Sequence, residues 1–275
     1  MIDEAVIIVG GMGTRLLPYS KTVTKEMLPI FDVPCIYLLV KEAYLSGIKK
    51  IIFVVTKRNK NLIKNYFSND TYLDNFIIGN KEKENTLKEL KKIIKEMKFI
   101  YVYETLKGSY GALYSARNYI KNDNFIVMYG DDLIDSPVPL TKRLIDEFNN
   151  NMIITVKQIN NLPKSGLIKY DNDFNLIGIT KLEESSKVIL IGRMLLNKKI
   201  FKVKNKLTTY ANKELYLPHS LLNFKDVKCY LIDDKYFNIG SKTGYIKASI
   251  NYCLKSNYKD DLINYLKEIE NEYKM

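Results

Sequence analysis

Five apolar residues in a row, Ala5-Val6-Ile7-Ile8-Val9, run straight into Gly10-Gly11-Met12-Gly13. An apolar run without polar alternation, rich in β-branched side chains, predicts a strand buried on both faces, as in a parallel sheet covered by helices. The glycines that end it allow the backbone to approach an anion closely with its amide hydrogens exposed. Arg15 follows with a permanently charged fork, and Lys25 supplies a second, more mobile cation. Together these suit a triphosphate. No Gly-Lys-Ser/Thr follows, so this is not a Walker A loop, and Leu16 stands where a dinucleotide fingerprint needs a third glycine or alanine.

Beyond the loop, residues 34–46 have helical character and Gly47 stops the helix before a second buried run, Ile51 to Val55. Leu87, Leu90, Ile94 and Met97 form a helical stripe, strands are expected at 99–103 and 125–129, and a helix between them at 112–120. This alternation predicts an α/β chain with a doubly wound sheet. After Asp135 strands dominate, at 152–158, 167–170, 177–181 and 189–195. Without a Gly/Ser/Pro-rich linker, residues 1–275 read as one domain, with a nucleotide-side half (1–135), a sugar-side half (136–257) and a C-terminal helix (258–275). That helix carries Leu262, Leu266, Ile269 and Tyr273 on one face, expected to pack on the body in preference to mediating self-association.

The formal charge of +12 is spread through the chain and is not gathered into a basic stripe, which points to a small anionic substrate and away from nucleic acid or membrane. A single histidine, His219, and no tryptophan make a Ser-His-Asp triad or a His-rich zinc site a poor fit. Cys35, Cys229 and Cys253 lack the spacing of metal or redox pairs and read as reduced thiols; with an acidic start and no long apolar window, the expected location is cytoplasmic.

The stretch Gly-x-Gly-Thr-Arg-x-Leu-Pro from Gly11, followed by Lys25-Glu26-Met27-Leu28-Pro29, resembles the opening of bacterial UTP-glucose-1-phosphate uridylyltransferases, the UDP-glucose pyrophosphorylases. The similarity continues in order through Lys107-Gly108, Asp131-Asp132-Leu133-Ile134, Gly166-Leu167-Ile168, Gly192-Arg193 and Gly240-Ser241-Lys242. It implies a Rossmann-like three-layer nucleotidyltransferase fold with a mixed, mostly parallel central sheet. It also implies transfer of a uridylyl group from UTP to glucose-1-phosphate or a related sugar-1-phosphate, with Mg²⁺ as cofactor, in a homo-oligomer, dimer or tetramer. Carried over by residue, Gly10, Gly11, Gly13 and Thr14 hold the nucleotide, with Glu26, Glu104 and Gly108 beside the nucleoside. Arg15 and Lys25 bind the triphosphate, Asp131 and the residue at Asn238 hold the metal, and Gly166, Thr180, Lys181 and Glu214 lie on the sugar side, Lys181 neutralising the sugar phosphate.

The chain also departs from that pattern. Asn238 replaces an expected aspartate metal ligand, and a neutral carbonyl holds a hard cation less tightly, leaving Asp132 or Asp234 as substitutes. Thr180 replaces an acidic residue ahead of Lys181, Tyr216-Leu217-Pro218-His219 replaces Ile-Gln-Leu-Thr-Asp material on the sugar side, and Glu104 stands where a glutamine reads uracil. Two alternatives to the uridylyl reaction follow: a catalytically weak nucleotide-binding relative with a regulatory or scaffolding role, or a transferase for another pyrimidine nucleotide or sugar.

Overall fold

The computed structural model describes residues 1–160, 165–181, 187–206 and 214–273. β1 (Glu4–Ile8) leads through 3-10 turns at Thr14–Leu16, Tyr19–Lys21 and Lys25–Met27 to a small hairpin, β2 (Pro29–Ile30) and β3 (Val33–Pro34), and then α1 (Cys35–Leu45). β4 (Lys50–Val55) follows, then α2 (Lys60–Tyr66), α3 (Thr71–Ile77), α4 (Lys81–Glu96), β5 (Lys98–Tyr103), α5 (Ser109–Ser115) and β6 (Asn124–Tyr129). The second half contains β7 (Asp132–Asp135), α6 (Leu140–Asp146), β8 (Met152–Gln158), β9 (Ser165–Tyr170), β10 (Leu176–Lys181) and β11 (Val188–Asn197). It closes with α7 (Leu217–Leu221), β12 (Val227–Leu231), β13 (Lys235–Asn238), α8 (Lys242–Cys253) and α9 (Lys259–Tyr273).

Nine of the described strands form one sheet in the order β10-β9-β11-β6-β1-β4-β5, with β8 also on β11 and β12 on β8. β5, β4, β1 and β6 run parallel; β11 is antiparallel to β6, β8 and β9. The apolar run is explained by burial on both faces. Ala5 and Ile7 pack with α1, α6 and α8 on one side, while Val6 packs with α5 and α7 on the other. Helices on both faces of a mixed sheet make the three-layer α/β fold that the family resemblance implied.

The departures from expectation have local causes. The helix expected at 112–120 starts earlier, at Ser109, and breaks into a 3-10 turn at Arg117–Tyr119. Its start follows Gly108, held at φ 88°, a conformation that resets the chain direction before the helix. The C-terminal helix forms as α9 but buries none of its side chains: Leu262 and Ile269 are half-buried, whereas Leu266 and Tyr273 are exposed. Its apolar face is therefore partly covered at Leu262 and Ile269 and lies open at Leu266 and Tyr273. No helix among the described residues is long and apolar enough to cross a membrane.

Candidate active site

Parallel strands end together, and the carboxyl ends of β1, β4, β5 and β6 open onto one cleft of about 490 Å³. Its walls carry Gly10, Gly11 and Met12 after β1, Thr56 after β4, Glu104, Lys107, Gly108 and Ser109 after β5, and Tyr129 and Asp131 at the end of β6; Lys25 and Glu214 complete it. The glycine turn is held from behind. Buried Asn59 donates to the Val9 carbonyl at 2.6 Å and accepts from the Thr56 amide at 2.9 Å, tying the ends of β1 and β4 together. Gly13 takes φ 66°, and its carbonyl accepts from Ser20 Oγ at 2.7 Å.

Lys25 points into this cleft, its Nζ 2.6 Å from Asp131 Oδ2 and 3.1 Å from where a Cβ on Gly11 would stand. Burial alone would lower its pKa, but Asp131, Glu26 and Asp132 outweigh burial and hold it above the usual lysine value, so Lys25 is a fixed cation. Glu26, expected beside the nucleoside, is instead fully buried behind the wall, its Oε1 3.9 Å from Lys25 Nζ. The 3-10 turn that aims Lys25 at the cleft buries the carboxylate of its neighbour beside the same ammonium, so the position expected beside the nucleoside is not on the cleft wall among the described residues. Neither Glu26 oxygen has a hydrogen-bond partner among the described residues, and burial pushes its carboxyl up to about 7 despite Lys25.

β13 pairs with β7, setting Asn238 opposite Asp132. Asp132 is buried and accepts from the Gly192 amide at 2.8 Å, the Tyr236 hydroxyl at 2.8 Å and Asn238 Nδ2 at 2.9 Å. Burial first, and repulsion by Asp131 second, push its carboxyl up to about 6, against those hydrogen bonds. An ionised carboxylate only accepts, so the Asn238 amide faces Asp132 and its carbonyl is directed elsewhere. That carbonyl lies 3.5 Å from Arg15 Nη2. It also converges with Asp131 on Gly240: a Cβ there would stand 2.7 Å from Asp131 Oδ2, 2.8 Å from Arg15 Nη2 and 3.0 Å from Asn238 Oδ1. The absence of a side chain on Gly240 leaves this convergence open. Of the suggested substitutes, Asp132 is spent on its three donors and Asp234 pairs with Arg143.

One carboxylate and one amide carbonyl form an all-oxygen pair, the donor type Mg²⁺ takes when substrate phosphates and water complete its shell. Among the described residues no group of three or more His, Cys, Asp or Glu side chains could hold a metal ion. Behind the pair, Arg193 is fully buried and grips Glu42 through Nε at 3.0 Å and Nη2 at 2.9 Å, fixing the strand whose Gly192 holds Asp132.

The far end of the cleft holds Gly108, Glu104 and Glu214. Burial first and Glu214 second raise the Glu104 pKa, while Lys107 opposes them. Glu214, expected on the sugar side, therefore stands with Glu104, and it also accepts from the Tyr216 hydroxyl. Of the other sugar-side positions, Gly166 and Thr180 are not among the cleft-lining residues. Gly166 and Thr180 sit on the β9–β10 hairpin, where Thr180 pairs with Leu167; Lys181 ends β10, and its side chain lies outside what is described. Thr14 and Arg15 are exposed on the first 3-10 turn, Arg15 reaching Asn238 and Thr14 lying off the cleft wall. Sequence reasoning missed Thr56, Ser109 and Tyr129 as cleft residues; their signal was position, each standing at or just after the carboxyl end of a parallel strand or at the helix start beyond it.

Residues 4–255 match the family described as nucleotidyl transferase. The chain is 31% identical over 285 residues to UTP–glucose-1-phosphate uridylyltransferase 1 of Staphylococcus saprophyticus, covering 98% of this chain and 99% of that protein. It is 33% identical over 295 residues to the UTP–glucose-1-phosphate uridylyltransferase of Streptococcus pneumoniae, covering 98% and 97%. Among solved structures it superposes on an apo UDP-glucose pyrophosphorylase with a TM-score of 0.85 at 28% identity, over 93% of this chain and 99% of that one. The UTP-bound UGPase of Acinetobacter baumannii gives 0.81 at 27% identity, covering the whole of both chains.

Proposed function

Because the chain belongs to the nucleotidyl transferase family, among the UTP–glucose-1-phosphate uridylyltransferases, we propose that it transfers a uridylyl group from UTP to glucose-1-phosphate, forming UDP-glucose and pyrophosphate. A phosphate oxygen of the sugar-1-phosphate attacks the α-phosphorus in line, the bond to the β-phosphate oxygen breaks, and pyrophosphate leaves with the electron pair. Two polyanions must meet, so positioning and charge neutralisation carry the catalysis.

The observation that supports this most is the meeting of the glycine turn, Lys25 and Asp131 in one cleft. In this reading the amides of Gly10 and Gly11 face the phosphate tail, Lys25 and Arg15 offset charge on the departing pyrophosphate, and Gly108 and Glu104 flank the base. Asp131 with the Asn238 carbonyl would hold Mg²⁺, which when bound supplies positive charge to the phosphates of both substrates. Lys181 on β10 is assigned to the sugar phosphate.

The test is pyrophosphate release from purified protein given Mg²⁺, UTP and glucose-1-phosphate. Turnover is expected, and Lys25→Ala or Asp131→Ala should lower it by about 10²-fold or more. Nucleotide binding without turnover, across a panel of pyrimidine triphosphates and sugar phosphates, would instead make the protein a binding relative.

A further inference from the structure

The loop after β4, residues 56–59, grips both flanks of the glycine turn. Asn59 takes the near flank, donating at 2.6 Å to the carbonyl of Val9, the residue ahead of Gly10. Arg58 takes the far one: its Nη2 donates to the carbonyl of Ser20, on the 3-10 turn Tyr19–Lys21. Ser20 is buried, and its own hydroxyl returns to the glycine turn, donating to the Gly13 carbonyl at 2.7 Å. The Leu16 amide donates to that same carbonyl at 2.9 Å, so both of its lone pairs are used.

Such bracing answers a problem that the glycines create. A stretch reading Gly10-Gly11-Met12-Gly13 visits many backbone conformations, and ordering it around a polyanion costs affinity unless the fold has ordered it first. The direction of one peptide matters as much. A peptide unit is planar and trans, so a Gly13 carbonyl held toward Ser20 and Leu16 sends the following N–H of Thr14 the opposite way. Without those donors the unit is free to turn over and set the negative end of its dipole toward a phosphate.

Resting on the proposed uridylyl reaction, we propose that Arg58 is a positioning residue for the triphosphate: it fixes the Ser20 turn and, through the Ser20 hydroxyl, keeps the Gly13 carbonyl out of the phosphate site. Arg143 and Arg193 pair with Asp234 and Glu42, whereas Arg58 has no carboxylate partner among the described residues. The contact that locates its guanidinium is the Ser20 carbonyl. Thr56, at the start of the same loop, lines the cleft, so one short segment supplies both wall and brace.

Ligand titration of the full chain, Arg58→Ala, Ser20→Ala and the double variant tests this, with UTP, inorganic tripolyphosphate and uridine as probes. Tripolyphosphate reports the phosphate loop, and uridine reports the remainder of the cleft. Each single substitution should weaken UTP and tripolyphosphate about tenfold, the worth of one well-made hydrogen bond, and leave uridine as it was. Because Arg58 acts through the Ser20 hydroxyl, the double variant should lose no more than the larger single loss. If Arg58→Ala does not fold, Arg58→Gln, which keeps most of the stem, takes its place in the same cycle. Losses that add in the double variant would make Arg58 a direct phosphate ligand and overturn the positioning role. An equal loss for uridine, or a lower melting temperature with every affinity intact, would make the contact a support of the fold alone and overturn it too. Failure of UTP and tripolyphosphate to bind the unaltered protein overturns the uridylyl reading itself, and this inference with it.

Discussion

Residues 1–135, expected as the nucleotide-side half, and residues 136–257, expected as the sugar-side half, build the same sheet, yet they place their polar residues differently. In residues 1–135, four parallel strands end on one edge, and whatever follows each strand arrives at the cleft by default: Gly10, Thr56, Glu104, Asp131. In residues 136–257 the strands are mostly antiparallel, and the site residues arrive through pairing. Asn238 is placed by its register against Asp132, whereas Thr180, set by its register against Leu167, stays off the cleft wall. Parallel strands make a site by topology; antiparallel ones must make it by register, and a slip there moves a side chain to the other face.

The glycines expose this contrast most sharply. Gly108 and Gly166 share a positive φ, 88° and 83°, but Cβ on Gly108 would stand 2.4 Å from the Leu215 carbonyl oxygen, whereas nothing among the described residues lies within 4 Å of one on Gly166. Gly166→Ala should therefore cost only the backbone preference, about 1 kcal/mol. Gly108→Ala adds a clash with backbone that cannot rotate away, and should cost about 3 kcal/mol or more while spoiling nucleotide binding. Urea unfolding of both variants checks the pair; equal losses would break the idea that the nucleotide-side end is the more tightly fitted.

The two halves were unequally legible for the same reason. The apolar run before Gly10 and the stripe of Leu87, Leu90 and Ile94 are local patterns, so β1 and α4 could be read directly. The glycine turn, Lys25 and Asp131 were legible because each stands beside a strand end or beside that turn. Pairing between Asp132 and Asn238 spans more than a hundred residues and leaves no local trace, so the brace that orients Asn238 was invisible. The burial of Glu26 was missed because a charged residue next to Lys25 looks solvated until a 3-10 turn buries its carboxylate beside the lysine ammonium.

That buried carboxyl gives the next largest effect. Its folded pKa of about 7 lies above the ordinary 4.5, so between those values the folded protein holds a proton that the unfolded chain releases. The sign follows: the destabilising contribution is absent at low pH, grows as pH rises from about 4.5 to about 7, and is constant above, amounting to about 3 kcal/mol at most. Unfolding midpoints across that window should decline with pH in the parent and decline less steeply in Glu26→Gln. Identical slopes would mean that Glu26 keeps an ordinary pKa despite its complete burial.

Asn238→Asp tests the register-built side. The new carboxylate would meet Asp132 where an amide now donates at 2.9 Å, so without divalent ions the variant should be less stable by about 2 kcal/mol. Mg²⁺ should raise its melting temperature more than the parent's and be needed at lower concentration for half-maximal turnover. A variant as stable as the parent without metal, and no more responsive to it, would place the cation elsewhere.

The smallest effect concerns a residue of the second half that is remote from chemistry. Thr155, on β8 between β11 and β12, is fully buried, and its Oγ1 has no partner among the described residues. The hydroxyl lost water on folding and gained nothing in exchange, so replacing it by a methyl group of similar shape removes a cost and no bond. Thr155→Val should leave stability unchanged or raise it by up to about 1 kcal/mol, with turnover unaffected because the side chain is not on the cleft wall. The nucleotide-side counterpart is Tyr129, whose buried hydroxyl also has no partner among the described residues but whose ring lines the cleft. Tyr129→Phe should match Thr155→Val in stability yet alter nucleotide affinity, and if both substitutions left affinity untouched, unpartnered polar atoms in the two halves would be equivalent and the contrast between them would stop at the backbone.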